Sequence, residues 1–363
     1  MLEAGYAASI LGQQAGAAYP LLLRPRSGFI PMKYLGAASI WLMAFIVTIV
    51  FAQSGLTQET KRIRFALTTP PHFLPIWVAK DLGLFSKHGL DVEVIFMRGG
   101  ALITMGVISG ELQLSGIGAE SVVAARAEGG DVTLLACPLD LDLVYLISRP
   151  EIKTAAQLKG KATAVTRLGS TTHFYLRSAF KHLGMDADKD MTILQLGAGP
   201  EIAIALQQGQ IAAAVLSYRN ALSFLERGWP ILVNLTQTGF KYPPSCVAGS
   251  RAFVRKNPGT VAAFLKAYIE AIHMIKRDLN LTKRVYAKYY RESDATVTDK
   301  VARAYAELFK PIPNVPEEGI EVVVRDFASR RPLQKDLLKT SLYKDDAPLE
   351  RIIKEGWLNQ LQR

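Results

Sequence analysis

Two short runs of hydroxyl and glycine residues are the best candidates for recognition chemistry in this chain. In Gly169-Ser170-Thr171-Thr172, a glycine precedes three hydroxyl side chains at what reads as a helix start. A helix N-terminus leaves backbone N–H groups without intrahelical partners, and its dipole favours negative charge, so this turn suits the oxygens of a small anion. An N-cap needs one hydroxyl, which Ser170 supplies, leaving two to be explained. In the run from Thr68 to Phe73, Thr68 and Thr69 add hydroxyls, and His72 or Phe73 could stack on a ring. Alternatively, Pro70-Pro71 only shapes the turn and His72 lies at the surface.

Three further turns qualify. Arg98-Gly99-Gly100-Ala101 opens a helix, and the backbone N–H groups of Gly100 and Ala101 could point at an anion, with Arg98 itself solvated. The turn from Gly118 to Ser121 carries Glu120 beside Ser121. A carboxylate there would repel sulfonate or nitrate and accept from an amine or aminopyrimidine; equally, it could simply complement the helix dipole. Ser217-Tyr218-Arg219 offers a guanidinium able to clamp a carboxylate, sulfonate or phosphate bidentately, or to form a salt bridge.

Constellations for catalysis are missing. The five histidines (His72, His88, His173, His182 and His273) have no metal-ligand spacing, and Cys137 and Cys246 have no Cys-x-x-Cys partner. There is no Gly-x-Ser-x-Gly elbow and no phosphate-loop lysine. Asp140 and Asp142 read as solvated loop charges. No catalytic residue, metal or cofactor is expected. The simplest expectation for the two cysteines is buried free thiols, with pairing open in an oxidising compartment.

The elements that must position these turns alternate. Strands are predicted at Ile63–Leu67, Leu90–Phe96, Leu112–Gly116 and Val132–Ala136, with helices between them. Val144–Ser148 reads as a crossing into a second unit of the same rhythm, with strands at Lys161–Thr166, Thr192–Leu196, Ile211–Leu216 and Ile231–Leu235. Val247–Gly249 reads as a return to the first unit. Beyond it only helical periodicity remains, led by the stripe Val261, Phe264, Leu265, Tyr268, Ile269, Ile272 and Ile275. The expectation is an α/β fold of two lobes, each a mixed sheet flanked by helices, with a helical C-terminal section. Lobe 1 would comprise 60–147 and 245–363, and lobe 2 would comprise 148–244.

Residues 1–52 stand outside that pattern. Tyr34 to Ala52 carries no charge and follows Lys33, the layout of a signal peptide starting at Met32, or of an uncleaved membrane anchor. The formal charge of +11 falls to +9 without this segment, which removes Arg24, Arg26, Lys33 and Glu3. Lys283 to Arg291, KRVYAKYYR, interleaves basic and aromatic residues, but an amphipathic helix with a solvated basic face accounts for it better than nucleic acid does.

VAKDLGLFSKHGLDVEV, GGALITMGVISGELQLSGIG, AAQLKGKATAV and ALQQGQIAAAVLSY together resemble solute-binding proteins of the nitrate, sulfonate, taurine and thiamine-pyrimidine (NMT1-like) family. The resemblance covers roughly residues 62–280. It implies a type II periplasmic-binding-protein fold and an exported, periplasmic, monomeric receptor. Such a receptor would capture a small organic or oxyanion solute and deliver it to an ABC permease in the inner membrane. A thiamine-pyrimidine precursor or another aromatic solute, a ligand sensor, and a pyrimidine synthase of the same fold remain alternatives. The fungal synthases of that kind use a cysteine-rich motif that this chain lacks.

Overall fold

The computed structural model describes residues 60–68 and 71–361; the expected export segment and Thr69 lie outside them. Within the described residues the chain forms ten strands: Lys61–Leu67 (β1), Leu90–Phe96 (β2), Leu114–Ile117 (β3), Thr133–Ala136 (β4), Val144–Ser148 (β5), Ala162–Val165 (β6), Thr192–Gln195 (β7), Ala213–Ser217 (β8), Ile231–Asn234 (β9) and Cys246–Gly249 (β10). They make two five-stranded mixed sheets, ordered β2-β1-β3-β10-β4 and β7-β6-β8-β5-β9. In the first, β1 runs parallel to β2 and β3 while β10 runs antiparallel to β3 and β4. In the second, β6 is parallel to β7 and β8, and β5 is antiparallel to β8 and β9.

Helices cover the sheets. Leu74–Asp81 (α1), Leu84–Lys87 (α2), Gly100–Ser109 (α3) and Ala119–Ala127 (α4) follow the first strands. Thr171–His182 (α5), Ala187–Asp190 (α6), Gly199–Gln207 (α7) and Tyr218–Glu226 (α8) flank the second sheet. The C-terminal section holds Arg251–Lys256 (α9), Pro258–Arg277 (α10), Leu279–Tyr290 (α11), Ala295–Leu308 (α12), Glu317–Arg330 (α13), Ala347–Lys354 (α14) and Leu358–Leu361 (α15). Covered on both faces, β3, β4 and β10 are buried along their whole length and show no alternation of apolar with exposed polar residues. The predicted stripe on α10 is buried throughout, and its Phe264 ring stacks on Phe65 of β1 at 5.2 Å and on Phe85 of α2 at 5.1 Å. Burying one such ring contributes roughly 1.5–3 kcal/mol. Among the described residues, no helix is long and apolar enough to cross a membrane.

The chain passes between the sheets at 137–143 and 235–245, and β5 pairs in the second sheet from Val144 onward. The cysteines flank these two passages and are joined by a disulfide, not left as free thiols. Strand register is the cause. Val247 lies opposite Ala136 in an antiparallel pair, which sets Cys246 beside Cys137 with 4.2 Å between their Cα atoms.

Candidate ligand cleft between the two sheets

A cavity of about 670 Å³ opens where the carboxyl ends of β1, β2, β3, β6 and β8 converge, the position at which open α/β sheets present their ligand loops. Of the expected site residues, Thr68, His72, Phe73, Gly100, Ser170, Thr171, Thr172 and Arg219 line it. Ala101, Glu120, Ser121, Gly169 and Tyr218 are not in its wall. Ala101 is exposed, Tyr218 leans on Tyr145 with the ring centroids 6.5 Å apart, and the Gly169 N–H donates to His173 Nδ1 at 2.9 Å.

The hydroxyls of the 166–172 turn are largely occupied with one another. Thr172 Oγ1 accepts from the Thr166 N–H and lies 2.9 Å from Thr166 Oγ1 and 3.0 Å from Ser170 Oγ. Ser170 stands at the N-cap of α5, yet its hydroxyl donates backward to the Arg167 carbonyl at 2.7 Å and makes no cap bond. Thr171 reaches the other way. Its Oγ1 donates to Glu120 Oε1 at 2.7 Å, tying α5 beside the second sheet to α4 beside the first.

Glu120 is buried. Oε1 also accepts from Ser121 Oγ at 3.0 Å, and Oε2 accepts from the Tyr242 hydroxyl on the returning passage. Burial pushes the Glu120 carboxyl above its ordinary range, against the opposing pull of these donors. Two glycines make room for the cluster. A Cβ at Gly118 would collide with the Tyr242 hydroxyl and the Glu120 carboxylate, and one at Gly100 would meet Ser121 Oγ at 2.5 Å.

Asp142 departs from the expectation of a solvated loop charge. It is buried in the first passage, lines the cavity, and accepts from Tyr305 Oη at 2.7 Å, the Leu143 N–H at 2.9 Å and Tyr175 Oη at 3.4 Å. Burial, with the Asp142 charge adding to it, raises both phenols well above their usual range, which keeps them neutral donors. His72 is buried too, with Nδ1 3.4 Å from Asp142 Oδ2 and no hydrogen-bond partner among the described residues. A buried polar atom of this kind facing a cavity is poised to meet a ligand.

Sequence reasoning missed the richest wall. Tyr286, Tyr289 and Tyr290 of α11, together with Arg291 beyond it, face the cavity, and Trp77 of α1 stacks on Tyr289 at 4.6 Å and 19°. The signal was present as tyrosines spaced i, i+3 and i+4 on one helical face. Lys283 and Lys288 of the same helix are engaged elsewhere: Lys283 pairs with Asp299 at 3.1 Å and Lys288 with Asp81 at 2.5 Å. Further ion pairs bridge the two halves. Arg219 Nη2 is 2.7 Å from Glu292 Oε2, Lys300 Nζ is 2.6 Å from Glu226 Oε1, and Arg98, solvent-exposed as expected, stands at the cavity rim 3.7 Å from Glu201.

The family described as NMT1/THI5 like matches residues 70–278. A Brachyspira hyodysenteriae protein, named as a candidate ABC transporter periplasmic binding protein, is 22% identical over 323 residues, covering 83% of this chain and 91% of that protein. The 4-amino-5-hydroxymethyl-2-methylpyrimidine phosphate synthase THI13 of Saccharomyces cerevisiae is 27% identical over 162 residues, covering 43% of this chain and 46% of the synthase. Among solved structures, the alkanesulfonate-binding protein SsuA from Xanthomonas axonopodis pv. citri bound to MOPS superposes with a TM-score of 0.64 at 19% identity, covering 77% of this chain and 96% of that one. This likeness establishes the two-lobed periplasmic-binding-protein fold.

Proposed function

Since the chain belongs to the NMT1/THI5-like family, we propose that it is a solute receptor of an ABC importer, which captures a small organic or oxyanion solute between its lobes and presents it to a membrane permease. The observation carrying this reading is a single cavity walled from both sheets, bridged by the Thr171–Glu120 and Arg219–Glu292 contacts. Such bridges form only when the lobes meet, so a solute filling the cavity would bias the protein toward the closed arrangement by its differential affinity for it. The importer role also follows the name borne by the Brachyspira relative, which implies an exported, periplasmic protein.

Binding here is non-covalent. The Asp142–Tyr175–Tyr305 cluster has its donors and acceptors matched to one another, and the Thr171 hydroxyl is spent on the bridge to Glu120. A synthase role, suggested by the partial yeast match, is disfavoured by the disulfide, which leaves neither cysteine available as a thiol.

A thermal-shift panel of alkyl sulfonates, taurine, nitrate, aromatic carboxylates and sulfonates, and aminopyrimidines tests the receptor role. A ligand at a hundred times its Kd adds about 2.7 kcal/mol, enough to raise Tm by at least about 2 °C. Small-angle scattering on the responding sample should show a smaller radius of gyration. A folded protein that neither shifts nor contracts with any member of the panel is not such a receptor.

A further inference from the structure

Resting on the receptor reading, we infer that the solute is a planar aromatic anion, its ring held by the tyrosine–tryptophan wall and its carboxylate or sulfonate by Arg291. Size is the first argument. A cavity of about 670 Å³ falls within the range of roughly 300–1,000 Å³ that encloses a drug-sized molecule. Nitrate or taurine would leave most of it unfilled.

The wall is the second. Phe73, Trp77, Tyr175, Tyr286, Tyr289 and Tyr290 line one continuous space. Their rings are already ordered by stacking: Trp77 on Tyr289 at 4.6 Å and 19°, and Tyr286 on Tyr290 at 4.7 Å and 21°. Rings held in parallel planes offer flat faces and edges that suit another planar ring better than a short alkyl chain. The His72 Nδ1 is buried in this wall without a hydrogen-bond partner among the described residues, ready for a ring substituent such as a hydroxyl.

Arg291 is the third. Among the described residues it alone, apart from glycines, has a left-handed backbone, with φ of 51°. It occupies the C-cap of α11, a position that ordinarily favours glycine or asparagine. Holding a bulky residue there carries a conformational cost, and such costs concentrate where a side chain has a task. Its neighbour Glu292 is engaged by Arg219, so Arg219 is already partnered while Arg291 lines the cavity with no carboxylate in ion-pair range among the described residues. A planar guanidinium in this position fits the two oxygens of a carboxylate or sulfonate.

The test is isothermal titration of the full-length protein with naphthalene-2-sulfonate and 4-hydroxybenzoate as aromatic probes, against ethanesulfonate, taurine and nitrate, in wild type, Arg291→Ala, Arg291→Lys and Arg291→Gly. The expected result is aromatic anions binding at least tenfold tighter than aliphatic ones, a loss of at least tenfold in Arg291→Ala and Arg291→Gly, and partial recovery in Arg291→Lys. Arg291→Gly suits the left-handed backbone and should keep or raise Tm, so lost binding in that variant is not lost folding. Whichever aromatic probe binds tighter identifies sulfonate or carboxylate as the headgroup. Preference for ethanesulfonate, taurine or nitrate overturns the aromatic assignment and leaves the receptor role standing, as does aromatic binding indifferent to residue 291 for the anchoring role. Silence from every probe on folded protein overturns both.

Discussion

Thr171 and Glu120 are 51 positions apart in the chain and belong to opposite sides of the cleft, yet the Thr171 hydroxyl donates to the buried Glu120 carboxylate at 2.7 Å. The contact converts a hydroxyl that the sequence offers to a ligand into a bridge between lobes. The neighbouring Thr172 hydroxyl, by contrast, braces its own turn.

Thr171→Val therefore acts on stability before it acts on binding. It removes one donor from a buried carboxylate, a loss of about 1.5–3 kcal/mol for a charge-assisted bond. Thr172→Val, which loses only neutral partners, should cost about 0.5–1.5 kcal/mol. Urea unfolding of the two variants gives the comparison. Equal losses, or a larger loss at 172, would contradict the assignment of the bridge.

Glu120 gives stability a pH dependence. Burial holds its carboxyl above the value it has in the unfolded chain, so the folded state binds that proton more tightly. The associated stabilisation is complete below the unfolded value of about 4.3 and is lost as pH rises through the raised folded value. Glu120→Gln has nothing to titrate, so its stability should fall less steeply than wild type over that interval. Denaturant midpoints measured across it are decisive, and parallel curves for the two proteins would refute the claim.

The Cys137–Cys246 disulfide spans a sequence separation of 109 residues and closes a loop containing the entire second sheet. Cross-linking a loop near this length restricts the unfolded chain by about 4–5 kcal/mol in the chain-entropy account. The double variant Cys137→Ser/Cys246→Ser should lose between about 2 and 5 kcal/mol, and reductant should lower the wild-type Tm while leaving that variant's unchanged. A reductant effect of the same size in both proteins would show that the bond is not what holds the wild type.

Much of the fold is legible in the sequence because local rules and burial agree. Leu90–Phe96 is a strand over the same residues read from its pattern, Val144–Ser148, read as a crossing into the second unit, is the strand by which the chain enters the second sheet, and the α10 stripe is buried as its spacing requires. Less of the cleft is legible, since spacing defines a face without saying what that face meets. Tyr286, Tyr289 and Tyr290 share one side of α11, but only the tertiary fold turns that side toward the cavity. Asp142 looks like a loop charge until Tyr175 and Tyr305 arrive from residues 33 and 163 positions away. The cysteine pair likewise follows from a register between strands that are remote in sequence.

The position of β10 has a consequence for the order in which the molecule can assemble. β4 pairs with β10 and, through an isolated bridge at Leu134, with Lys344, so both of its neighbours come from later in the chain. All five strands of the second sheet precede β10, and can pair while the first sheet still has a gap beside β3. The inserted half thus has its full complement of strands first. The first half closes last, its fully buried β4 waiting for a strand that emerges only after the whole insertion has been made.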